Sequence, residues 1–237
     1  MKKSLIRLLL PLLITSCANN ASKTNQSIEK SIAAHGGYQN FEQLENLSYR
    51  KSTYVLNEEG QPLDSLIQTF IHPSINQTQL AYLQHNISYL AEMKDESLSL
   101  FVDDQPSEEA SPLSTHKNLI DAANFIFFQP FKLRDQKAVL SNEGIKQLEV
   151  SEGLMQLQVI GVSYPESTDR WYFFFDLNTD QVLANAVWHN EKMSLILNEE
   201  MQWHHGLLVH RKRTSYLSNQ EFELIHPQAS YTYKMLD

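Results

Sequence analysis

Five consecutive aromatic residues, Trp171-Tyr172-Phe173-Phe174-Phe175, decide the fold of this sequence. Successive side chains of a strand point to opposite faces of a sheet, so residues 171, 173 and 175 share one face and residues 172 and 174 share the other. An antiparallel strand with one face in water alternates apolar and polar residues, and this stretch does not. The sequence therefore predicts a sheet covered on both sides, with helices on one side and either a cavity or a second layer of sheet on the other.

Alternating patterns typical of strands lie on both sides of this aromatic stretch. Residues 47–102 contain five such segments joined by short turns, which predicts an antiparallel meander. Strands resume at about Lys146 and continue to the end of the sequence. Two later stretches are each predicted to divide into two strands: Met193–Leu197 and Met201–His205, then Glu221–Ile225 and Tyr231–Met235.

Two segments have the periodicity of helices. The first covers Asn25–His35, where Ile28 and Ile32 form a narrow apolar stripe, and Gly36-Gly37 can take the left-handed conformation that ends a helix. The second covers Ser114–Phe128, in which apolar residues recur at intervals of three and four. The sequence thus predicts a mainly β (α+β) domain with an N-terminal helix and a mid-chain helical insertion.

The N-terminus has the layout of a secretory signal, with a basic start, Met1-Lys2-Lys3, an apolar run over residues 5–14, and the small Ser16 before Cys17. A cysteine directly after the small residue resembles the lipobox of bacterial lipoproteins. The resemblance implies that residues 1–16 are removed as a signal peptide and that Cys17 is lipidated. The alternative is an ordinary signal peptide with an unrelated cysteine. A membrane-spanning helix fits less well, because crossing a bilayer takes about 20 apolar residues.

Residues 18–24 are small and polar without an apolar period, which predicts a flexible tether between the lipidated cysteine and a single domain over residues 25–237. In surface-exported lipoproteins of some bacteria an acidic cluster follows the cysteine, and this sequence has none. By that resemblance, the lipid on Cys17 anchors the protein to a membrane of the bacterial cell envelope, and the domain faces the periplasm.

The charge and the cysteine count exclude several classes of function. The 237-residue chain carries a formal net charge of −9, which becomes −12 once Lys2, Lys3 and Arg7 leave with the signal peptide. Such acidity argues against nucleic-acid binding, which needs a basic surface, and against broad electrostatic attraction to anionic lipid. Because Cys17 is the only cysteine, disulfides within the monomer and zinc sites built on thiolates are excluded as well.

Several short motifs resemble a family of bacterial envelope lipoproteins of unknown function. They are the lipobox at Cys17, the helix end His35-Gly36-Gly37, the run Phe41–Tyr49, the segment Pro130-Phe131-Lys132-Leu133 and the turn Phe175–Thr179. The order of elements is also similar to that of LolA and LolB, a lipoprotein carrier and its receptor. That similarity implies a strongly curved antiparallel half-barrel of about 11 strands, closed by helices over an apolar cavity that holds acyl chains. It implies neither a catalytic residue nor a cofactor.

Aromatic residues around the second helix and in the central strand are the candidate ligand-binding residues. They would line a lipid-binding hollow from two sides: Phe125, Phe127, Phe128, Phe131, Trp171, Phe173 and Phe175. The alternative is that they fill a core, since aromatic side chains bury large areas in any protein.

The cluster His210-Arg211-Lys212-Arg213 is the one basic spot in this acidic sequence. It could hold an anionic headgroup or the carboxylate of a partner. On a strand, however, alternate residues point to opposite faces, so the cluster would not form one patch. The favoured interpretation is a solvated strand near an edge of the sheet, where charge discourages aggregation.

No motif predicts catalysis or a metal site. The densest histidines, in Trp203-His204-His205-Gly206, would face opposite ways on a strand and lack the spacing of metal ligands. The segment Gly161–Pro165 lacks the second glycine of a nucleophile elbow, and Ser27–Lys30 lacks the companion motifs of the S-x-x-K enzymes. We therefore predict a protein without enzymatic activity, metal or cofactor.

The sequence leaves two main hypotheses for function. The first is an envelope lipoprotein whose half-barrel cavity binds an apolar ligand, such as an acyl chain or the lipid of a lipoprotein. The second is a scaffold or accessory subunit of an envelope protein complex, in which the sheet is a packed core and no small ligand binds. A third, an envelope hydrolase, requires a serine, a histidine and an acid to assemble from distant parts of the chain.

Overall fold

Thirteen antiparallel strands form one open, curved sheet in the computed structural model of the protein. The structure describes residues 14–150, 153–165 and 167–236, and of residues 14–22 it describes only the backbone. Most of the predicted signal peptide and the predicted lipidation of the Cys17 side chain therefore lie outside the described residues. The strands are β1 (Glu45–Leu56), β2 (Pro62–Ser74), β3 (Gln77–Gln84), β4 (Ile87–Lys94), β5 (Ser97–Val102), β6 (Gln105–Ser107), β7 (Val139–Val150), β8 (Gly153–Ser163), β9 (Arg170–Asp176), β10 (Val182–His189), β11 (Lys192–His204), β12 (Leu207–Ser218) and β13 (Leu224–Leu236).

Strands that follow one another in the chain also pair in the sheet, except where the first and last strands meet. The order across the sheet is β6-β5-β4-β3-β2-β1-β13-β12-β11-β10-β9-β8-β7. Pairing of β1 with β13 joins the N-terminal strands to the C-terminal strands in a single sheet. The antiparallel meander predicted for residues 47–102 is confirmed.

The sheet has 13 strands, whereas the sequence predicts about 11. One strand that the sequence does not reveal is β6, whose three residues lie in an acidic segment without an alternating pattern and pair with β5. Another difference is the start of β7 at Val139, several residues before the predicted onset at about Lys146. Pairing with a neighbouring strand, and not local propensity, stabilises both β6 and the first residues of β7.

The strands β11 and β13 continue through their predicted breaks. The pairing of β11 with β12 shifts register around Asn198 and Glu200, and such a bulge bends a strand without removing it from the sheet. β13 passes through Pro227, which lies opposite Tyr216 at another register shift. A proline is tolerated there because the ladder needs no N–H at an irregular position.

Among the described residues, three α-helices and one 3-10 helix accompany the sheet: α1 (Ile14–Ala34), α2 (Tyr38–Glu42), α3 (Ala110–Phe127) and the 3-10 helix Phe131–Arg134. Both predicted helices are present, and α3 begins one turn earlier than the sequence predicts. Within the described part of the chain, none of the helices combines the length and the apolar character needed to cross a membrane.

The N-terminal helix ends in the predicted left-handed cap. Gly36 and Gly37 have φ angles of 110° and 86°, and the N–H of Gly37 donates to the carbonyl of Ile32 at 2.9 Å. A Cβ on Gly36 would overlap the carbonyl oxygen of Gly206, in the turn between β11 and β12. Glycine at position 36 therefore both ends α1 and lets its end approach the sheet.

The structure has a helix where the sequence predicts a flexible tether. The backbone of residues 18–24 is helical and extends α1 towards Ile14. Extending a helix costs little once part of it is held, and the later turns of α1 bury Ile28 and Ile32 in the core. The division into signal peptide, tether and domain stays a prediction.

The aromatic strand β9 is covered on both faces, as its sequence predicts. On the face that packs against α3, which we call the inner face, Phe173 and Phe175 belong to a core that includes Ile120 and Phe127 of that helix. On the opposite, outer face, Phe174 belongs to a second core. The prediction that both faces of the sheet are shielded from solvent at this strand is confirmed.

The outer cover of β9 is neither a cavity nor a second layer of sheet. Phe222, in the loop between β12 and β13, contacts Phe174 and Tyr172 edge-on, with ring centroids 5.0 and 5.2 Å apart. The loop places a single large ring over the outer face, which provides the apolar cover that the sequence of β9 requires.

Candidate ligand-binding site

A cavity of about 640 Å³ lies between α3 and the inner face of the sheet. On the sheet side its wall is formed by seven adjacent strands, in the order β2, β1, β13, β12, β11, β10 and β9. Because neighbouring strands lie about 4.8 Å apart, this wall is elongated, measuring roughly 30 Å across the strands. On the helix side the cavity is lined by Leu119, Ala122, Ala123 and Ile126.

The sequence of α3 explains why this part of the inner face is hollow. The four lining residues recur at intervals of three and four, so they form one stripe along the helix. Two of them, Ala122 and Ala123, have side chains that end at Cβ, which leaves open the space that longer side chains would fill.

Near the end of α3 the same inner face is filled with aromatic side chains. The ring of Phe127 stacks on Tyr49 with 4.0 Å between centroids, and Tyr49 stacks in turn on Phe70 at 5.0 Å. His72 stacks on Phe127 and meets Phe128 edge-on. We call these five residues the aromatic stack. Each of them is at most 2% exposed, so this end of the inner face is a packed core.

Solved structures from Nitrosomonas europaea and Vibrio parahaemolyticus are similar in fold to this chain. A LolA superfamily protein from Nitrosomonas europaea is 6% identical to this chain, with a TM-score of 0.55 over 90% of this chain and 91% of that chain. A putative outer membrane lipoprotein-sorting protein domain from Vibrio parahaemolyticus is 7% identical, with a TM-score of 0.53 over 92% of each chain. The fold is LolA-like.

Short motifs and the order of elements predict a LolA-like fold, and this prediction is confirmed. A DUF1329 family protein from Desulfovibrio piger is 9% identical, with a TM-score of 0.49 over 90% of this chain and 91% of that chain. No protein-family model and no curated protein sequence matches this chain. The similarity is therefore one of fold, and the site must be described from the residues of this chain.

Trp171 is the one candidate of the seven sequence-predicted aromatic residues that lines the cavity of this LolA-like fold. Phe125 is half-buried, contacts Trp171 edge-on at 5.1 Å between centroids, and lines a second cavity of about 400 Å³. The other five lie outside the lining of the large cavity and are buried in the inner core: Phe127, Phe128, Phe131, Phe173 and Phe175. Their positions match the alternative interpretation, in which aromatic residues fill a core.

Arg213 is a site residue whose position the sequence does not reveal. It lines the cavity from β12 and is only 2% exposed. Its Nε donates a hydrogen bond to Oδ1 of Asn198 at 2.8 Å, and its Nη2 donates to Oδ1 of Asn185. Both acceptors are neutral, and within the described residues no carboxylate forms an ion pair with Arg213.

The basic cluster that contains Arg213 divides between two environments. Arg211 and Lys212 are exposed and pair with Glu200 at 3.4 Å and Glu199 at 2.8 Å, whereas His210 and Arg213 are buried. The prediction that the cluster is not one patch is confirmed. Its predicted place near a sheet edge is wrong, because β12 is paired on both sides, with β11 and with β13.

A second cation, Lys51 on β1, lines the same cavity. Its Nζ lies 5.2 Å from the ring centroid of Tyr231 on β13, and Tyr231 is the register partner of Arg213. Two cations thus flank one tyrosine from the strands on either side of it. The lining contains no aspartate or glutamate among the described residues, although the chain has 28 acidic residues and 19 lysines and arginines.

Two polar groups of the lining have no hydrogen-bond partner within the described part of the chain. They are Nε2 of Gln68 and the hydroxyl of Tyr49, both on buried side chains. Buried polar groups are nearly always hydrogen-bonded, so unpartnered groups at a cavity wall point to a ligand or to water. Gln68 supplies a donor on the same side of the cavity as Lys51, its register partner on β1.

Burial keeps the histidines beneath α3 neutral. It lowers the pKa of His72 to about 3, and the nearby positive charge of Lys132 adds to this shift. It also lowers the pKa of His210 well below the usual value, with further lowering by the charges of Arg213 and His35. The described lining contains no histidine, so the positive charge at the cavity wall comes from Lys51 and Arg213.

The histidine pair that the sequence singles out is not arranged as predicted. β11 ends at His204, and His205 lies in the following turn with a φ of 46°, so the two rings approach to 4.3 Å between centroids. The expectation that they face opposite ways is wrong because His205 is not part of a strand. Within the described residues, no three histidine, cysteine or acidic side chains are grouped so that they could hold a metal ion.

Proposed function

We propose that the protein is a lipoprotein of the bacterial cell envelope that binds an apolar ligand, such as the acyl chain of a lipid or of another lipoprotein, in the cavity beneath α3. The signal peptide of residues 1–16 is removed, the lipid on Cys17 anchors the protein to a membrane, and the domain faces the periplasm. The protein binds its ligand without chemical conversion.

The observation that carries this proposal is the cavity of about 640 Å³. Ligand pockets measure roughly 300–1,000 Å³ and combine mostly apolar walls with a few polar groups. Here the apolar wall includes Leu119, Ile126, Trp171 and Ile196, and Arg213 is among the polar groups. The LolA-like fold supports the same proposal, since one structural neighbour is a putative outer membrane lipoprotein-sorting protein domain.

The ligand can be tested with the full chain carrying Cys17→Ala, so that no lipid is attached covalently. We expect mass spectrometry of the purified protein to detect copurified lipid, and we expect saturable uptake of a fluorescent fatty acid. A protein that carries no lipid and takes up no fatty acid would contradict the proposal.

The anchor has a separate test in cell fractionation. We expect the unchanged protein in the membrane fraction and the Cys17→Ala protein in the soluble fraction, because the thiol is the only site for the lipid. Ser22→Ala is the matched control and should stay with the membrane. Membrane attachment of the Cys17→Ala protein would exclude this mode of anchoring.

A second candidate function is a scaffold for an envelope protein partner. It is favoured by apolar side chains on the outer face of neighbouring strands, where Ile67 of β2 is 54% exposed and Leu83 of β3 is 64% exposed. A single exposed apolar residue is ordinary, whereas a group of them on one face is typical of a contact surface. Crosslinking in cells should then capture a partner that is lost in an Ile67→Lys variant, and no lipid should copurify.

A further inference from the structure

We infer that the ligand of the cavity is a single-chain amphiphile with a carboxylate head, and that Arg213 binds this head inside the cavity. The inference rests on the proposed function, because it names the kind of apolar ligand that the same cavity takes. Four features of the described residues carry it. Arg213 is buried without a carboxylate partner, and Lys51 is a second cation in the same lining. Hydrogen-bond donors remain free for a ligand, and polar and apolar residues line different parts of the wall.

The first feature is the contrast between Arg213 and three surface arginines that form ion pairs. Arg134, Arg170 and Arg211 each pair with a glutamate, at distances of 2.7, 2.8 and 3.4 Å. Arg213 is the most buried of the four and has only amide oxygens of asparagine as partners. Burying a charge without an opposite charge is unfavourable, and an anionic ligand would supply the missing partner.

The second feature is the charge of the surrounding wall. Lys51 and Arg213 lie on strands separated only by β13, roughly 10 Å apart across the sheet. Both side chains are long, so their charged ends can meet in the space over Tyr231 between them. Although the chain is acidic, no described carboxylate lines this cavity, and two cations do. The lining therefore favours an anion.

The third feature is the set of donors left for a ligand. A guanidinium has five N–H groups in one plane, and the two hydrogen bonds to Asn198 and Asn185 use only part of them. A carboxylate matches the remaining fork of parallel N–H groups, which is the geometry of strong, charge-assisted pairs. The unpartnered Nε2 of Gln68 is a further donor at the same wall.

The fourth feature is the division of the wall on the two sides of Arg213. Towards β2 the lining is mostly polar, with Lys51, Thr53 and Gln68 beside Leu66. Towards β9 it is mostly apolar, with Ile196, Val187 and Trp171 beside the hydroxyl of Ser194. A molecule with a charged head and one apolar chain fits this division, with its head at Arg213 and its chain running towards Trp171.

Competition binding on the full chain with Cys17→Ala tests the inference, using palmitate and hexadecanol, which have the same chain and differ in the charge of the head. We expect palmitate to bind at least about tenfold more tightly than hexadecanol. Arg213→Gln should remove this preference, whereas Arg211→Gln, the matched change on the exposed side of the same cluster, should preserve it. Inorganic phosphate, an anion without a chain, should not displace palmitate.

Lys51→Met keeps the inference falsifiable if Arg213→Gln weakens both ligands alike through a change in folding. This half-buried side chain can be replaced without removing a hydrogen bond of the core, and the variant should weaken palmitate several-fold while hexadecanol is unchanged. Equal loss of both ligands in Lys51→Met, or no loss of palmitate, would overturn the inference.

The same measurements separate failure of the inference from failure of the proposed function. Equal affinity of the unchanged binding site for palmitate and hexadecanol would overturn the carboxylate head and leave a site for apolar chains. Displacement of palmitate by inorganic phosphate would overturn the amphiphile and indicate a site for small anions. Absence of binding by both palmitate and hexadecanol would contradict the inference and the proposed function together.

Discussion

The inner face of the sheet is packed at one end and hollow at the other, although the same helix covers both. At the packed end, α3 presents Phe127 to an aromatic stack in which centroids approach to 4.0 Å. At the hollow end, it presents Ala122 and Ala123 to a cavity of about 640 Å³. The volumes of a few side chains along one helix therefore decide whether the inner face is packed or encloses a cavity.

The comparison also shows which residues mark the candidate site of this protein. Five of the seven aromatic residues that suggest a lipid-binding hollow lie outside the cavity lining and are buried in the inner core. The hollow end is marked instead by small residues on the helix and by Arg213, a buried charge without a charged partner. Site-directed changes at the two ends should consequently have different effects.

The largest effect is expected from Phe127→Ala at the packed end. Removing a ring that is 1% exposed leaves a cavity in the aromatic stack, and such changes lower the free energy of unfolding by about 3–5 kcal/mol. Urea unfolding followed by tryptophan fluorescence measures it. Leu119→Ala is the control at the hollow end, where truncating a half-buried side chain should cost only about 1 kcal/mol. Equal losses of unfolding free energy in the two variants would contradict the distinction between a packed end and a hollow end.

The next effect is a sensitivity to acid that His72 gives to the packed end. Its pKa is about 3 in the folded protein, against an ordinary value of about 6.5 in the unfolded chain. Between these values the unfolded state binds a proton that the folded state does not, so the free energy of unfolding falls as the pH falls. His72 should account for a loss of about 2 kcal/mol between pH 7 and pH 5, measured by urea unfolding.

His72→Phe isolates this contribution, because a phenyl ring fits among the other aromatic residues and does not titrate. His35 and His210, whose pKa values are also lowered by burial, are present in both proteins and contribute equally to each. The loss of stability between pH 7 and pH 5 should be about 2 kcal/mol smaller in the variant. An unchanged pH dependence would show that His72 is not kept neutral by burial.

A smaller effect, on binding and not on stability, is expected from Ala123→Phe at the hollow end. The larger ring occupies space in the cavity, so uptake of a fluorescent fatty acid should weaken by at least about tenfold, or 1.4 kcal/mol. The free energy of unfolding should change little, since the ring enters an open space. Ala110→Phe, at the exposed start of α3, is the control and should bind like the parent. Unchanged uptake by Ala123→Phe would show that ligand binds elsewhere.

The smallest effect is expected from Glu29→Gln, which removes the ion pair between α1 and the 3-10 helix. Oε1 of Glu29 lies 2.7 Å from Nε of Arg134, and both side chains are more than 40% exposed. Exposed pairs contribute only about 0.2–1 kcal/mol, so urea unfolding should change by less than about 1 kcal/mol. Glu42→Gln is the control, since Glu42 forms no ion pair with another described residue. A loss as large as that of Phe127→Ala would show that surface charge contributes as much as the aromatic stack.

Much of the fold could be predicted because its signals are local. The alternating pattern of residues 47–102 predicts the meander, and the aromatic residues of β9 predict a sheet covered on both faces. The breaks predicted in β11 and β13 are wrong because bulges around Asn198 and at Pro227 preserve pairing that local propensity does not favour. Pairing partners far away in the sequence decide these cases.

The candidate site is harder to predict, because a cavity forms where side chains are too small to fill the space between α3 and the sheet. Ala122 and Ala123 belong to a stripe of α3 that sequence alone cannot distinguish from a packed one. Arg213 lies beside Arg211 and Lys212, which are exposed and form ion pairs. The sequence alone does not distinguish the buried cation from the exposed ones.

The pairing of β1 with β13 has a consequence for how the chain reaches its native state. The hydroxyl of Ser48 donates to the carbonyl of Leu236, and these residues are 188 positions apart. Contacts of such high sequence separation slow folding, because a long loop must close before they form. Until β13 is synthesised and docks, β1 and β12 each present an unpaired edge to other chains. Truncation before β13 should therefore leave two separate sheets, each with an unpaired edge strand, and favour aggregation as the protein is made.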